Sequence, residues 1–288
     1  MKYSWHCEFN LVSTITATDL SKHGMKIGGS KRMKASAKYL HAVLAIWVVL
    51  YSNLILGQFQ VRDSVLFNPH VEIGGGYQFP FGDMARRFGN SGVAGLGFHI
   101  KARTQWYYGL QGSYFFGNKV TEPGLMQNLY TDAGEILDNQ GQKSIVYIQE
   151  RGWMYFLDAG RLFPIVGPNP NSGVLAYAGV GYMHHKIRIE HQSNEIAQLE
   201  GEYLKGYDRL TMGPAAHAFL GYFHMSNNKL INFFAGVEVA HAWTKGVRTI
   251  HFDTRLVDHS LRSDGLIGVR AGWVVHLYRR APDAYYFK

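Results

Sequence analysis

Seven connections in this chain alternate strictly between long and short, and that alternation restricts the fold more than any other feature of the sequence. Eight stretches rich in aromatic, β-branched and Gly residues read as strands. They lie at about 69–80, 91–103, 105–117, 149–164, 173–190, 211–226, 229–245 and 263–279. Three connections are short: Arg103-Thr104-Gln105, the Gly-Pro-Asn-Pro-Asn-Ser-Gly turn at 167–173, and Ser-Asn-Asn-Lys at 226–229. Four are longer, at 81–90, 118–148, 191–210 and 246–262. Antiparallel hairpins spaced this way put every short turn at one end and every long loop at the other. An even strand count then returns both chain ends to the short-turn side. A soluble sandwich has no reason to alternate so regularly.

Side-chain alternation along the strands says which face meets what. Successive residues of a strand point to opposite faces. In the first strand Val71, Ile73, Gly75, Tyr77 and Phe79 share one face, and His70, Glu72, Gly74, Gly76 and Gln78 the other. The second separates Leu96, Phe98 and Ile100 from Gly97, His99 and Lys101. The seventh separates Phe233, Val237, Val239 and Trp243 from Asn232, Gly236 and Glu238, and the eighth separates Ile267, Val269, Trp273 and Val275 from Gly268, Arg270 and Gly272. Large apolar residues on one face and charges among glycines on the other suit a barrel in lipid, apolar outside and polar inside. A soluble ligand-binding barrel needs the reverse. The expected fold is all-β, an eight-stranded antiparallel up-and-down transmembrane β-barrel. The fifth strand is less clean: the same parity puts His184, Lys186, Arg188 and Glu190 inside, near the outer end. The sixth, "GPAAHAFLGYFHM", is ambiguous.

The N-terminal segment reads as an address. From Ala42 the run AVLAIWVVLY is apolar and turns polar at Ser52 and Asn53, which fits a signal-peptide h-region better than a spanning helix. Lys31, Arg32, Lys34 and Lys38 precede it as a basic n-region. Cleavage is expected at Gly57/Gln58, with translation beginning at Met33 or Met25; the alternative is an N-terminal extension ahead of an uncleaved anchor. Residues 1–57 hold seven of the 29 Lys+Arg and two of the 21 Asp+Glu, which leaves 22 bases and 19 acids, a net of +3. The basic excess is therefore mostly in that segment, no Lys/Arg cluster of a nucleic-acid site remains, and the one cysteine, Cys7, lies there too. The remaining chain, 58–288, has neither a disulfide framework nor a Cys metal site.

With this strand pattern, this loop alternation, the opening "YQFPFGDMARRFG" and the last strand "VRAGWVVHLY", the chain resembles the small outer-membrane β-barrel proteins of Gram-negative bacteria, the OmpA/OmpX/OmpW-like kind. The resemblance covers about 69–280. It implies an outer-membrane location, periplasmic termini and a final strand read by the assembly machinery. RRAPDAYYFK follows that strand, so the aromatic terminus comes late, at Tyr285, Tyr286 and Phe287. The resemblance implies no activity, since such folds host many functions.

An eight-stranded barrel is just wide enough for side chains to fill. Its expected lumen holds Glu72, Asp158 and Glu238 against Lys101 and Arg270, with Lys186 and Arg188 as further members. This is an ion-pair network in place of a core, because unpaired charges there cost several kcal/mol. No metal or cofactor is expected: His184 and His185 are adjacent and point to opposite faces, so with His191 they make a poor metal site. Catalytic residues are not expected either. His251, Asp253, His259 and Ser260 in the last long loop are candidate pieces of a lipid-modifying Ser–His site, in a run notable only for being rich in these residue types. The long loops 118–148, 191–210 and 246–262 are too apolar for solvated linkers and read as a cap over the barrel mouth or as docking surfaces for other outer-membrane proteins. The sequence therefore points to an integral outer-membrane barrel with a structural or interaction role, as a subunit of an envelope assembly or secretion complex. A lipid-modifying enzyme and a narrow channel are the alternatives.

Overall fold

The computed structural model describes residues 64–191, 196–226 and 231–277. The expected signal peptide, its cleavage site and the aromatic C-terminus lie outside the described residues. Strands β1 (Asn68–Gly82), β2 (Ser91–Lys101) and β3 (Trp106–Gly117) are followed by a small hairpin of β4 (Ile136–Leu137) and β5 (Lys143–Ser144). Then come β6 (Val146–Phe163), β7 (Gly173–His191), β8 (Thr211–Met225), β9 (Asn232–Gly246) and β10 (Leu261–His276). The eight long strands close into one barrel in sequence order, with β1 returning to β10 from His70 opposite His276 to Gly82 opposite Asp264. Every neighbouring pair is antiparallel. All eight expected strands are present. A four-residue helix α1 (Met84–Arg87) occupies the first long connection.

The barrel exterior is banded. Leu110, Leu157 and Val180 sit opposite one another on β3, β6 and β7, as do Leu220, Val237 and Val269 on β8, β9 and β10, and all six are exposed. Leu157 and Val180 are each 67% exposed, far beyond what a water-facing wall leaves open across consecutive strands. Aromatic side chains flank this aliphatic belt. Trp106, Tyr108 and Trp273 lie toward the short turns; Trp153, Tyr155 and Trp243 lie toward the long loops. Trp106 stacks on Tyr108 at 6.1 Å and Trp153 on Tyr155 at 6.0 Å. An aliphatic band between two aromatic girdles is the outer surface of a transmembrane barrel, and the fold is of that type.

The interior has three zones. Toward the short turns, Leu66, Leu162, Leu175, Phe223 and Val274 form an apolar plug. The turn before β7 folds across that end: Asn171 Oδ1 accepts from Leu66 N and from Lys101 Nζ, both at 2.9 Å, and Asn169 Nδ2 donates to the Met225 carbonyl at 2.6 Å. The middle is polar and is described below. Toward the long loops, Phe115, Met154, Met183, Ile187 and Ile189 pack under Leu125, Met126, Ile196, Leu199 and Tyr207 from the loops.

This last zone corrects the reading of the fifth strand. On β7 the inward residues are Met183, His185, Ile187 and Ile189, whereas His184, Lys186, Arg188 and Glu190 point outward. Lys186 and Arg188 are not lumen residues. β6 and β7 are the longest strands, at 18 and 19 residues, and their paired outer halves extend past the aromatic girdle. There the outward face carries the charges, and the inward face lies under the loop cap. The apolar-out, polar-in pattern therefore reverses partway along one strand.

Candidate functional site in the barrel lumen

The middle zone is one continuous polar network across the barrel. Arg270 Nη1 lies 3.1 Å from Glu238 Oε1 and donates to Gln111 Oε1 at 2.6 Å. His217 bridges the next step, with Nδ1 3.2 Å from Glu238 Oε1 and Nε2 2.6 Å from Asp158 Oδ1. His99 Nε2 then lies 3.2 Å from Asp158 Oδ2, and its Nδ1 lies 3.5 Å from Glu72 Oε2. At the far side His70 Nε2 is 3.5 Å from Glu72 Oε1, and the Tyr107 hydroxyl donates to that same oxygen. All of these side chains are buried.

Glycines make the network possible. A Cβ on Gly109 would sit 2.1 Å from His99 Cδ2, and one on Gly179 would sit 2.2 Å from Asp158 Oδ1 and 2.8 Å from His217 Nε2. Space inside so small a barrel is limiting, so these strands leave out side chains where the network crosses.

Four of the five expected lumen residues, Glu72, Asp158, Glu238 and Arg270, join this chain of contacts. Lys101 is inside but does not pair with a carboxylate. Its ammonium donates to the Leu66 carbonyl at 3.0 Å, Asn171 Oδ1 at 2.9 Å and Gln105 Oε1 at 3.3 Å, which ties the plug to β2. The counter-groups for Glu72 and Asp158 are histidines instead. His70 and His99 were already on the polar faces of their strands; what the sequence does not reveal is which inward residues meet across the lumen, because that depends on strand stagger. His185, also inward, forms a separate pair with Asp264 Oδ2 at 3.0 Å under the cap, where Thr244 also donates to that oxygen.

Among the described residues no hydrogen bond joins His251, Asp253, His259 and Ser260 to one another. Ser260 Oγ donates to Asp258 Oδ1 at 2.6 Å, His259 Nδ1 faces the Gly246 carbonyl at 3.3 Å, and Asp253 accepts from Arg209 at 2.7 Å. His251 is buried with neither ring nitrogen hydrogen-bonded. One Ser–His contact occurs on the outer wall, between Ser263 Oγ and His241 Nε2 at 3.4 Å. That ring is flanked by Phe81 and Trp243 and belongs to the aromatic girdle. The loops themselves interlock: Arg209 pairs with Asp253, Arg87 with Glu122 and Arg248 with Asp208. Their outer surface nevertheless exposes Tyr130, Leu137, Tyr203, Leu256 and Val257.

No protein-family model matches the chain, and no curated protein matches it. Among solved structures it is similar to Ail, the attachment invasion locus protein of Yersinia pestis, at 12% identity and a TM-score of 0.37, covering 72% of this chain and 98% of that one. It is similar to Neisserial surface protein A at 8% identity and a TM-score of 0.37, covering 71% and 96%. The outer membrane protein OprG from Pseudomonas aeruginosa is similar at 12% identity and a TM-score of 0.32, covering 76% and 100%.

Proposed function

We propose that this protein is an integral outer-membrane β-barrel whose work is done by its surfaces, as an interaction subunit of the cell envelope with its termini in the periplasm. One observation carries the reading: an interlocked loop cap exposes apolar side chains above a barrel whose lumen is filled by buried side chains. A filled lumen favours neither a channel nor an internal substrate site, and no hydrogen bond joins His251 or His259 to Ser260 in the last long loop. What is left to do work is the cap and the lipid-facing wall. Tyr203 and Leu256 are each over 60% exposed on an ordered cap, and exposed apolar patches on such surfaces mark contacts.

The test begins in a Cys7→Ser background, which removes the sole native thiol. A cysteine at Leu256 is expected to react with a membrane-impermeant maleimide in intact cells. A cysteine at Ile165, exposed on the short-turn side, is expected to react only after the outer membrane is permeabilised. A photo-crosslinking residue at Leu256 or Tyr203 is then expected to trap a discrete envelope protein. Reversed labelling would overturn the orientation. Absence of any adduct from both cap positions would overturn the interaction role.

A further inference from the structure

We propose that the barrel lumen contains a divalent metal site of the zinc class, built by His70, Glu72 and His99. The three are fully buried, and one ligand atom from each lies within 4.8 Å of the other two. The construction is local. His70 and His99 are directly opposite on β1 and β2, and Glu72 is two residues along β1 on the same inward face. A His-x-Glu on one strand with a His across from it places three donors around one point.

The ring tautomers are set for it. His70 Nδ1 faces the Asn68 carbonyl at 3.0 Å, an acceptor only, so Nδ1 donates there and Nε2 is the nitrogen turned toward Glu72. His99 Nε2 faces Asp158 Oδ2 at 3.2 Å, again an acceptor only, so Nε2 donates there and Nδ1 is turned toward Glu72. Metal-binding imidazoles are held in this way, the second nitrogen donating to a carbonyl or carboxylate. His70 Nε2 also lies 3.1 Å from the Tyr107 hydroxyl. His99 Nδ1 and Glu72 Oε2 are also both buried without a hydrogen-bond partner, an expensive arrangement unless something lies between them. Each imidazole nitrogen is 3.5 Å from the nearest Glu72 oxygen. Tetrahedral zinc with bonds of about 2.0–2.2 Å has ligand–ligand edges of about 3.3–3.6 Å, which the shortest nitrogen–oxygen separations already match, and the three donors draw in from no more than 4.8 Å.

Charge balance agrees. The network contains three carboxylates, Glu72, Asp158 and Glu238, and one guanidinium, Arg270, while the Lys101 ammonium is turned to neutral oxygens. His217 faces a carboxylate oxygen with each nitrogen. Glu72 itself faces only the His70 and His99 rings and the Tyr107 hydroxyl. A dication there neutralises it and cross-links β1 to β2 beside the Tyr107 hydroxyl of β3, which is 3.1 Å from His70 Nε2.

The test uses the full barrel extracted in mild detergent, stripped with a chelator and re-equilibrated with Zn²⁺ alone. Because the site is enclosed, a parallel sample is refolded with Zn²⁺ present. Elemental analysis is expected to give one zinc per chain, with a rise in the unfolding midpoint on loading. Co²⁺ in place of Zn²⁺ is expected to give the visible bands of a four-coordinate nitrogen–oxygen site. His99→Gln and Glu72→Gln are expected to lower occupancy at least tenfold, while His185→Gln, in the separate buried pair with Asp264, retains it. If His99→Gln or Glu72→Gln fails to fold, the wild-type stoichiometry and cobalt spectrum decide. Wild-type barrel that takes up less than a tenth of an equivalent by both routes, or variants that bind as well as wild type, would overturn the site and leave protonated imidazoles as the balancing charges.

Discussion

Arg270→Met is the most informative single change, because it separates a filled lumen from a wet one. Arg270 and Glu238 are each under 4% exposed, and their charged atoms are 3.1 Å apart. At an effective dielectric constant of about 20, Coulomb's law gives about 5 kcal/mol of attraction for such a pair. Methionine keeps much of the arginine's volume and removes the charge. It also takes the donor from Gln111 Oε1. Glu238 keeps His217 and the Gln111 amide as neighbours, so the loss falls short of the full Coulomb figure. Removing one member of a buried pair costs about 3–5 kcal/mol, whereas replacing both with apolar residues is often close to neutral. Arg270→Met is therefore expected to destabilise by about 3 kcal/mol, within the range for broken buried pairs. Adding Glu238→Leu should recover most of that loss. The assay is urea unfolding of the barrel in phospholipid vesicles, followed by tryptophan fluorescence and repeated for both single mutants and the double mutant. A loss below about 1 kcal/mol for Arg270→Met, the range of solvent-exposed pairs, would refute the reasoning and mean that water reaches the lumen. Ion conductance would then be the next measurement.

Two further outcomes follow from the banding and from the cap. Val180→Arg, at the middle of the aliphatic belt, is expected to cost about 2–4 kcal/mol in lipid vesicles. Arg188→Ala, on the same outward face of β7 past the girdle, is expected to stay within about 0.5 kcal/mol; equal effects at the two positions would contradict the banding. In the cap, burial pushes the His251 imidazole below its ordinary range and the nearby Arg209 adds to this, against the opposing pull of Asp253 and Asp258. The folded cap therefore binds fewer protons than the unfolded chain. Its stability is complete above the unfolded value of about 6.5 and is lost as the pH falls below it. Amide hydrogen exchange over 248–258, corrected for intrinsic rates, is expected to quicken between pH 7.5 and pH 5.5 in the wild type and to lose that dependence in His251→Phe. An unchanged wild-type profile would show that this histidine does not govern the cap.

The strands and their faces were legible because alternation is a local property. Ile73 and Glu72 fall on opposite faces whatever the rest of the chain does, and the solvent on each side selects their character. Legibility failed on β7 for a physical reason. Lys186 and Arg188 look like interior charges only if the apolar-out rule holds along the whole strand, and it ends where the strand leaves the lipid. Glu72, His99, Asp158, Glu238 and Arg270 were legible as inward residues, His217 on the ambiguous sixth strand was not, and the sequence of contacts that joins them was not legible either. Asp158 and His217 are 59 positions apart and meet only because the barrel closes with one particular stagger. Lys101 was misassigned for the same reason: its acceptor Asn171 arrives from a turn 70 positions away, and nothing local announces it. The His-x-Glu of β1 is visible in the sequence, but its pairing with His99 on β2 is not, because the 81–90 connection between those strands is long, carries a helix and does not fix their register.

The central claim is that the belt and its girdles sit in a bilayer, and the tryptophans report on it directly. Among the described residues the four are Trp106, Trp153, Trp243 and Trp273, and all face outward in the girdles. With Trp5 and Trp47 replaced by Phe, only these four fluoresce. The measurement is quenching in vesicles made from phospholipids brominated at stated depths along the acyl chain. Strong quenching by bromines near the headgroups, weaker quenching by bromines near the bilayer centre and little by aqueous iodide is the expected result. Efficient quenching by iodide with none by brominated lipid would contradict a membrane-embedded barrel.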